Sequence, residues 1–304
     1  MYQGNSGFIK ALIKVRDKIR YTRYALFPIQ ACKDRYKWSY GRKADLKNPK
    51  DFDEKLIYVM YNQYKNDERV KRCIDKIEIH NYFRERGYDY LLNEVYATYN
   101  TLDEVDWDAL PDSFVLKCST GSGGNVIVLD KNKTSREDAI NKLRPYATKQ
   151  YGRETGGIQY KGIPARFLCE RYIGEPDGTP PVDYKIYCCN GVACCIEVIH
   201  DRFCDEKHFW YLTDRDYNCV QQYGVGAISD PDKIAADKPK NLKKFIEAAE
   251  LVSKEFPIVR VDLYNYKDEP VLGEMTFFPM DGVNNTFSRE GLDWLGSKID
   301  LEQK

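Results

Sequence analysis

Arg260-Val261-Asp262 and Gly273-Glu274-Met275-Thr276 place an arginine, two carboxylates and a hydroxyl at alternating positions of two consecutive strand-like segments. Side chains alternate faces along a strand, so Arg260 and Asp262 share one side, and Glu274 and Thr276 share a side on the next strand. Two acidic side chains on neighbouring strands make a hard oxygen-ligand site, suited to Mg²⁺ that carries a phosphate substrate. An arginine beside them holds negative charge that develops during transfer. A surface ion pair on an antiparallel hairpin is the competing explanation for the same residues.

A second element points the same way. Phe114-Val115-Leu116-Lys117 reads as a strand that enters Cys118-Ser119-Thr120-Gly121-Ser122-Gly123-Gly124, and Asn125–Leu129 follows as another strand. A glycine-rich turn exposes backbone N–H groups that can close over phosphates, and Lys117 adds a point charge beside them. No Gly-Lys-Ser/Thr ends the turn and no helix follows it, which excludes a Walker A loop and a dinucleotide fingerprint. Downstream, Glu170-Arg171-Tyr172-Ile173 ends a strand and could offer backbone groups to an adenine edge, with Glu175 or Asp177 near enough for ribose hydroxyls.

These segments need elements to position them. A chain of 304 residues, 42% hydrophobic and 31% charged, is long enough for two packed units. Lys plus Arg and Asp plus Glu both number 47, so overall charge selects no partner. Between Lys10 and Lys43, however, basic residues face only Asp17 and Asp34. Phe8, Ile9, Leu12, Ile13, Arg16 and Ile19 fall at helical spacing, which predicts a basic amphipathic helix near residues 6 to 24. Such a helix either packs on its own domain or lies on an anionic membrane surface. No secretory signal and no apolar run of membrane-spanning length is present, and the ten cysteines read as reduced thiols, so the expected location is cytoplasmic, either free or peripheral at the inner face of the membrane through residues 1–24. Cys188-Cys189 and Cys194-Cys195 flank Asn190-Gly191, a hairpin signal. Neighbouring strand cysteines face opposite ways, which disfavours zinc and makes them strand fillers.

Helices are expected over Asp53–Tyr64, Val70–Arg86, from the capping box Thr134-Ser135-Arg136-Glu137 toward Gln150, over Asn241–Glu255 with Asn241 as N-cap, and from about Ser288. Strands are expected at Val95–Tyr99, Ser113–Lys117, Asn125–Leu129, Phe167–Ile173, the cysteine hairpin Tyr184–Val198, Ile258–Tyr264 and Val271–Thr276, with a polar loop at Tyr151–Gly162. The division is a basic helical segment over 1–50, a helical region over 51–112, a small subdomain with the glycine loop over 113–180, and a larger one with the metal site over 181–304.

The order of the parts is distinctive: Lys76, Lys117 with its glycine hairpin, Glu170–Ile173, then Arg260–Asp262 and Glu274–Thr276. In this order the chain resembles the ATP-grasp superfamily, an α+β fold whose two subdomains close on ATP. Asn48–Lys55, Asp75-Lys76, Leu110–Lys117, Val182–Lys185 and Arg260–Pro279 are similar to its TupA-like branch, associated with teichuronopeptide and other surface-polysaccharide biosynthesis. The resemblance implies ATP and Mg²⁺ as cofactors. It implies that Lys76 and Lys117 are nucleotide lysines, that Ser119 and Gly121, Ser122, Gly123 and Gly124 belong to the phosphate-covering loop, and that Glu170, Tyr172 and Ile173 form the adenine hinge with Glu175 on ribose. It further implies that Arg260 faces the transferred phosphate, that Asp262 and Glu274 hold Mg²⁺, and that Lys185 and Arg202 contact phosphate or an acidic substrate; for Arg202 a surface salt bridge is the alternative. Two departures stand out. Thr276, the third metal ligand the resemblance implies, stands where many superfamily members have asparagine and offers a hydroxyl, a poorer ligand than an amide carbonyl; and no parallel βαβ unit precedes Lys76.

Three functions follow as expectations. The first is an ADP-forming carboxylate–amine ligase that works through an acyl phosphate on a surface-polysaccharide precursor. The second is a phosphotransferase acting on a sugar or lipid-linked hydroxyl, and the third a non-catalytic member that binds polysaccharide or a partner through its basic N-terminal segment. Nucleophilic catalysis has only His80, His200 and His208 as bases and no recognisable context, and the basic run lacks a nucleic-acid module.

Overall fold

The computed structural model describes residues 6–148, 152, 155–200, 209–226 and 230–302, with side chains in the first helix from residue 15 onward apart from residue 17. Arg202 and part of the 151–162 loop therefore lie outside the described residues.

Helix α1 (Ser6–Leu26) leads into α2 (Pro28–Tyr40), which begins on Pro28 and ends at Gly41 in the left-handed region, φ 70°. Tyr24, Ala31 and Cys32 are buried in the main core, whereas Val15 and Ile19 are more than half exposed. Among the described residues, no helix is long and apolar enough to cross a membrane.

Asp51 caps α3 (Phe52–Asn62) by accepting from Glu54 N. The single helix expected over Val70–Arg86 is instead two, α4 (Glu68–Ile74) and α5 (Glu78–Arg84). Asp75 leaves helical geometry at φ −87° and ψ 114°, and its carboxylate accepts from Ile77 N at 2.9 Å. Capping chemistry thus overrides helical periodicity and puts Lys76 at the break between helices.

A four-stranded antiparallel sheet follows in the order β1 (Val95–Tyr99), β4 (Phe167–Glu170), β2 (Phe114–Cys118), β3 (Asn125–Val128). Helix α6 (Arg136–Ala147) covers β2 and β3, burying Ala139, Ile140 and Leu143. Its N-cap is Ser135, whose hydroxyl accepts from Asp138 N; the box is one residue later than the expected Thr134 start.

The larger sheet is antiparallel, ordered β7 (Phe209–Asp214), β6 (Val192–His200), β5 (Asp183–Cys189), β8 (Ile258–Tyr266), β9 (Glu269–Thr276). Helix Leu242–Ser253 packs on β5, β6, β8 and β9 through Phe245, Ile246, Ala249 and Val252. Each large apolar side chain buried there contributes about 1.5–3 kcal/mol. Asn241 is the N-cap residue of this helix, as expected, but its side chain accepts no capping bond and is turned so that Nδ2 donates to Asp268 O at 3.1 Å. Ser288 does cap the last helix, Arg289–Gly296.

Asn190 (φ 50°) and Gly191 (φ 76°) form the β5–β6 turn, and both left-handed residues suit a two-residue hairpin. A bulge interrupts the ladder: Cys188 pairs with Ala193 and Tyr187 with Cys195, so Cys194 has no opposite number. The Cys188 thiol donates to Ala249 O on the helix side, and that of Cys194 to Val192 O.

Candidate functional site

The larger sheet buries a polar row on the face opposite helix Leu242–Ser253. Register aligns Glu197 on β6 with Lys185 on β5, Lys185 with Asp262 on β8, and Asp262 with Glu274 on β9. The next row aligns Tyr187, Arg260 and Thr276. Asp183, Lys185, Glu197, Arg260 and Asp262 are all buried, which excludes the surface ion pair as the explanation for Arg260 and Asp262.

Asp262 is the centre of this network. Its Oδ1 accepts from Arg260 Nε at 2.7 Å, and its Oδ2 accepts from Arg260 Nη2 and Lys185 Nζ, each at 2.7 Å. Burial alone would raise the Asp262 carboxyl, but Arg260 and then Lys185 outweigh it and hold the group down to about 2, from an ordinary 3.8. Arg260 Nη2 also donates to Thr276 Oγ1 at 3.1 Å and lies 3.6 Å from Glu274 Oε1.

Glu274 faces the smaller sheet. Lys76 connects the two, donating to Gly121 O at 2.8 Å while standing 3.6 Å from Glu274 Oε2. Lys76 N also donates to Ser119 O at 2.8 Å, so the helix break is pinned to the start of the glycine turn. Gly121 and Gly123 sit at φ 76° and 83°. Gly124 is required for space, because a Cβ there would meet Cys118 Cβ and the Tyr146 ring at 2.9 Å. Ser122 and the glycines line a cleft of ≈ 630 Å³ together with Lys76, Lys117, Asp262 and Glu274. Ser119 is fully buried and does not line it; its Oγ accepts from Arg166 N at 3.2 Å. Lys185 and Arg260 are bonded to Asp262 and do not themselves line this cleft.

An adjoining cleft of ≈ 670 Å³ is walled by Val115, Ile127, Tyr172, Ile173, Tyr264 and Leu272. Sheet pairing stops at Glu170, leaving the main-chain edge of Tyr172 and Ile173 unused by the ladder. The Glu170 side chain forms an ion pair with Lys117, which reaches both clefts. Glu175 is exposed; its N–H donates to Thr179 O at 2.9 Å, closing a turn beyond the hinge.

The oxygen donors fit a phosphate-borne Mg²⁺. A carboxylate has about four acceptor positions, and Asp262 uses three, so Oδ1 keeps one. Its direct cross-strand neighbour Glu274 is partly exposed, and the Thr276 hydroxyl lies 3.4 Å from Glu274 Oε1. This set is too small for an all-protein cage, and among the described residues no group of three or more His, Cys, Asp or Glu could hold a metal. Two carboxylates that share an ion with phosphate and water are the usual arrangement for Mg²⁺.

Sequence reasoning missed three residues that the structure places here. Glu197 ends the buried row; Tyr146 backs the glycine turn; and His80 lines a side pocket with Lys117 and Glu170. His80 Nδ1 is buried without a hydrogen bond, and burial lowers its proton affinity. An acidic residue between Ile196 and Val198 on a strand was the available signal for Glu197.

No curated protein matches the chain. Solved structures with similar folds include D-alanine–D-alanine ligase from Bacillus anthracis complexed with ATP (14% identity, TM-score 0.42, covering 74% of this chain and 61% of that one). D-cycloserine synthetase DcsG is similar at 15% identity and TM-score 0.41, with 77% and 72% covered. ATP-grasp ligase PsnB, complexed with a phosphomimetic variant of its minimal precursor, Mg and ADP, is similar at 14% identity and TM-score 0.40, with 80% and 66% covered. The chain thus spans about 61% of the length of that D-alanine–D-alanine ligase. The model of the TupA-like ATP-grasp family matches residues 54–300, most of the sequence and every described segment of both clefts. The chain is a member of the TupA-like ATP-grasp family.

Proposed function

We propose that the protein is an ATP- and Mg²⁺-dependent ligase that joins a carboxylate to an amine through an acyl phosphate, in the making of a surface or capsular polysaccharide. The observation that carries this reading is the cross-strand pair Asp262–Glu274, tied through Lys76 to the glycine turn. Two carboxylates facing a glycine-rich turn support a reading in which Mg²⁺ and phosphate meet between them.

In this reading the base enters the apolar cleft and meets the free backbone edge of Tyr172 and Ile173, with Glu175 toward the ribose. The glycine turn, Lys76 and Lys117 hold the phosphates, and Lys117 exchanges Glu170 for them. Asp262 and Glu274, with Thr276, would hold Mg²⁺, which when bound would neutralise phosphate charge. Arg260, fixed by two bonds to Asp262, is positioned for charge on the transferred phosphoryl group. The acceptor carboxylate oxygen attacks the γ-phosphorus, the bond to ADP breaks, and an acyl phosphate forms. The amine then attacks the acyl carbon and phosphate leaves.

The chain's division at residues 113 and 181 and a cytoplasmic location, peripheral to anionic membrane through residues 1–24, belong to the same proposal. Lys185 supports Asp262 in it, and Arg202 contributes toward an acidic substrate. The test is calorimetry with Mg·ATP followed by an ADP-release screen of amino acids and uronates. Binding that weakens about tenfold or more in Asp262→Asn and Glu274→Gln, with release that depends on a carboxylate, supports the reading. A protein that gives no heat with Mg·ATP refutes it.

A further inference from the structure

Glu197 is a buried acid that the roles above leave unexplained. It is 7% exposed and no Lys, Arg or His lies within ion-pair distance of it among the described residues. Desolvating a carboxylate without a counter-ion is expensive, so a purely structural position would favour an amide or an apolar side chain. Its one hydrogen bond is to Tyr187, at 3.0 Å on Oε2.

The direction of that bond is fixed from outside. Asn284 Oδ1 accepts from Thr286 N at 3.0 Å, which turns Nδ2 toward Tyr187, and Nδ2 donates to the Tyr187 oxygen at 3.0 Å. Tyr187 must therefore donate to Glu197, and Oε2 can only accept. Oε1 is left without a hydrogen bond among the described residues, yet it is not one of the sealed, unpaired buried atoms. The structure thus presents one carboxylate oxygen that is free to take up or release a proton.

Its location follows from the register. Along the row, Glu274 and Asp262 face the glycine turn, Lys185 comes next, and Glu197 lies on the strand beyond. Strands are about 4.8 Å apart, so Glu197 is about 10 Å across the sheet from Asp262, on the side away from the phosphate cleft. It holds this place only because of the bulge at Cys194. An unbroken hairpin from Asn190-Gly191 would set Ile196 opposite Lys185 and turn Glu197 to the helix-covered face. Bulges that re-aim one side chain recur beside active sites.

We propose that Glu197 is the proton acceptor for the incoming amine, which places the acceptor's ammonium group at the β6 end of the row. This rests on the ligase reading above. The ammonium transfers a proton to Glu197 Oε1 and becomes a free amine. That amine attacks the acyl phosphate; the C–N bond forms, the C–O bond to phosphate breaks, and the amine's second proton leaves with phosphate as HPO₄²⁻. Glu197 returns its proton to solvent. The groups that set its affinity are Tyr187 and Lys185 on β5, Arg260 and Asp262 on β8, and Cys195 on its own strand. Burial raises the proton affinity of Glu197, and Arg260 and Lys185 temper the rise.

The test compares two nucleophiles in wild type and Glu197→Gln, with Mg·ATP and a pool of the twenty common amino acids. Hydroxylamine is already unprotonated at neutral pH and needs no base. Glu197→Gln should form hydroxamate within about threefold of wild type but lose amide formation by about 10²-fold or more. The wild-type amide rate should fall on the acid side, and the variant should lack that limb. Equal loss with both nucleophiles, or no loss, overturns the proposal while leaving the ligase reading intact. A wild type that makes hydroxamate but no amide with the amino acids or with ammonium chloride also overturns it. A wild type silent with both nucleophiles brings down the ligase reading and this proposal together. Should Glu197→Gln fail to fold, Tyr187→Phe decides: losing the donor must move the acid limb to higher pH, and an unmoved limb counts against a base at Glu197.

Discussion

Replacing Asp262 with asparagine should damage the fold as well as the site, and the size of that damage follows from its three charge-assisted bonds. Asp262 is 2% exposed and binds Arg260 twice and Lys185 once, all at 2.7 Å. Its folded carboxyl is held at about 2 against an ordinary 3.8. The depression corresponds to about 2 kcal/mol of preference for the ionised form. Because the folded value is the lower one, this stability is present above the unfolded value and disappears as pH falls through the folded one. Wild type should therefore lose about 2 kcal/mol between about pH 4 and pH 2 from this residue. Asp262→Asn should lose more at neutral pH, about 3–5 kcal/mol, because two buried cations are stranded as well. Urea unfolding followed by tryptophan fluorescence measures both. Asp262→Asn combined with Lys185→Met should recover about 1 kcal/mol or more relative to additivity, since one stranded charge is gone. A loss below about 1 kcal/mol for the single variant, or strict additivity in the pair, would refute the picture of a desolvated, cation-clamped carboxylate.

Two further outcomes are specific. Gly124→Ala drives a Cβ into Cys118 and the Tyr146 ring at 2.9 Å, so it should destabilise by about 1–3 kcal/mol and weaken Mg·ATP binding, with Tyr146→Ala restoring part of both by calorimetry and urea unfolding. Asp53 is fully buried, accepts from Tyr40 Oη and Asn284 N on Oδ2, and has Oδ1 unpaired; burial pushes its carboxyl up to about 7. A raised carboxyl costs stability as pH rises from the unfolded value through the folded one, so Asp53→Asn should gain about 1–4 kcal/mol at about pH 8 and flatten the rise in stability seen on acidification toward about pH 5.

Much of the architecture was legible because it rests on local chemistry. The glycine turn, the Asn190-Gly191 hairpin and the alternation at Arg260–Asp262 are written in residue types, and the order of the parts pointed to the family. The misreadings share a cause: a polar side chain took a backbone group that periodicity had assigned elsewhere. Asp75 ended a helix that apolar spacing would have continued, and the Asn241 side chain turned to Asp268 rather than accepting a capping bond. The cation clamp on Asp262 was visible only in part, since Arg260 is two residues away but Lys185 arrives from another strand. Glu197 was hidden by the bulge at Cys194, which shifts register by one and exchanges the faces. No local pattern in Val192–His200 announces that shift, so the fourth member of the row had to be seen in three dimensions.

In the proposed function, Asp262, Glu274 and the facing glycine turn bring Mg·ATP to a carboxylate for γ-phosphoryl transfer. Phosphorus NMR of ATP turnover, with Mg²⁺, the amino-acid and uronate pool and hydroxylamine present, follows that transfer. ADP and inorganic phosphate should appear in equal amounts, with no turnover when Mg²⁺ is chelated, and hydroxamate plus amide, assayed separately, should together match the ADP. AMP with pyrophosphate, or a stable phosphorylated product formed in the absence of any amine, would contradict it.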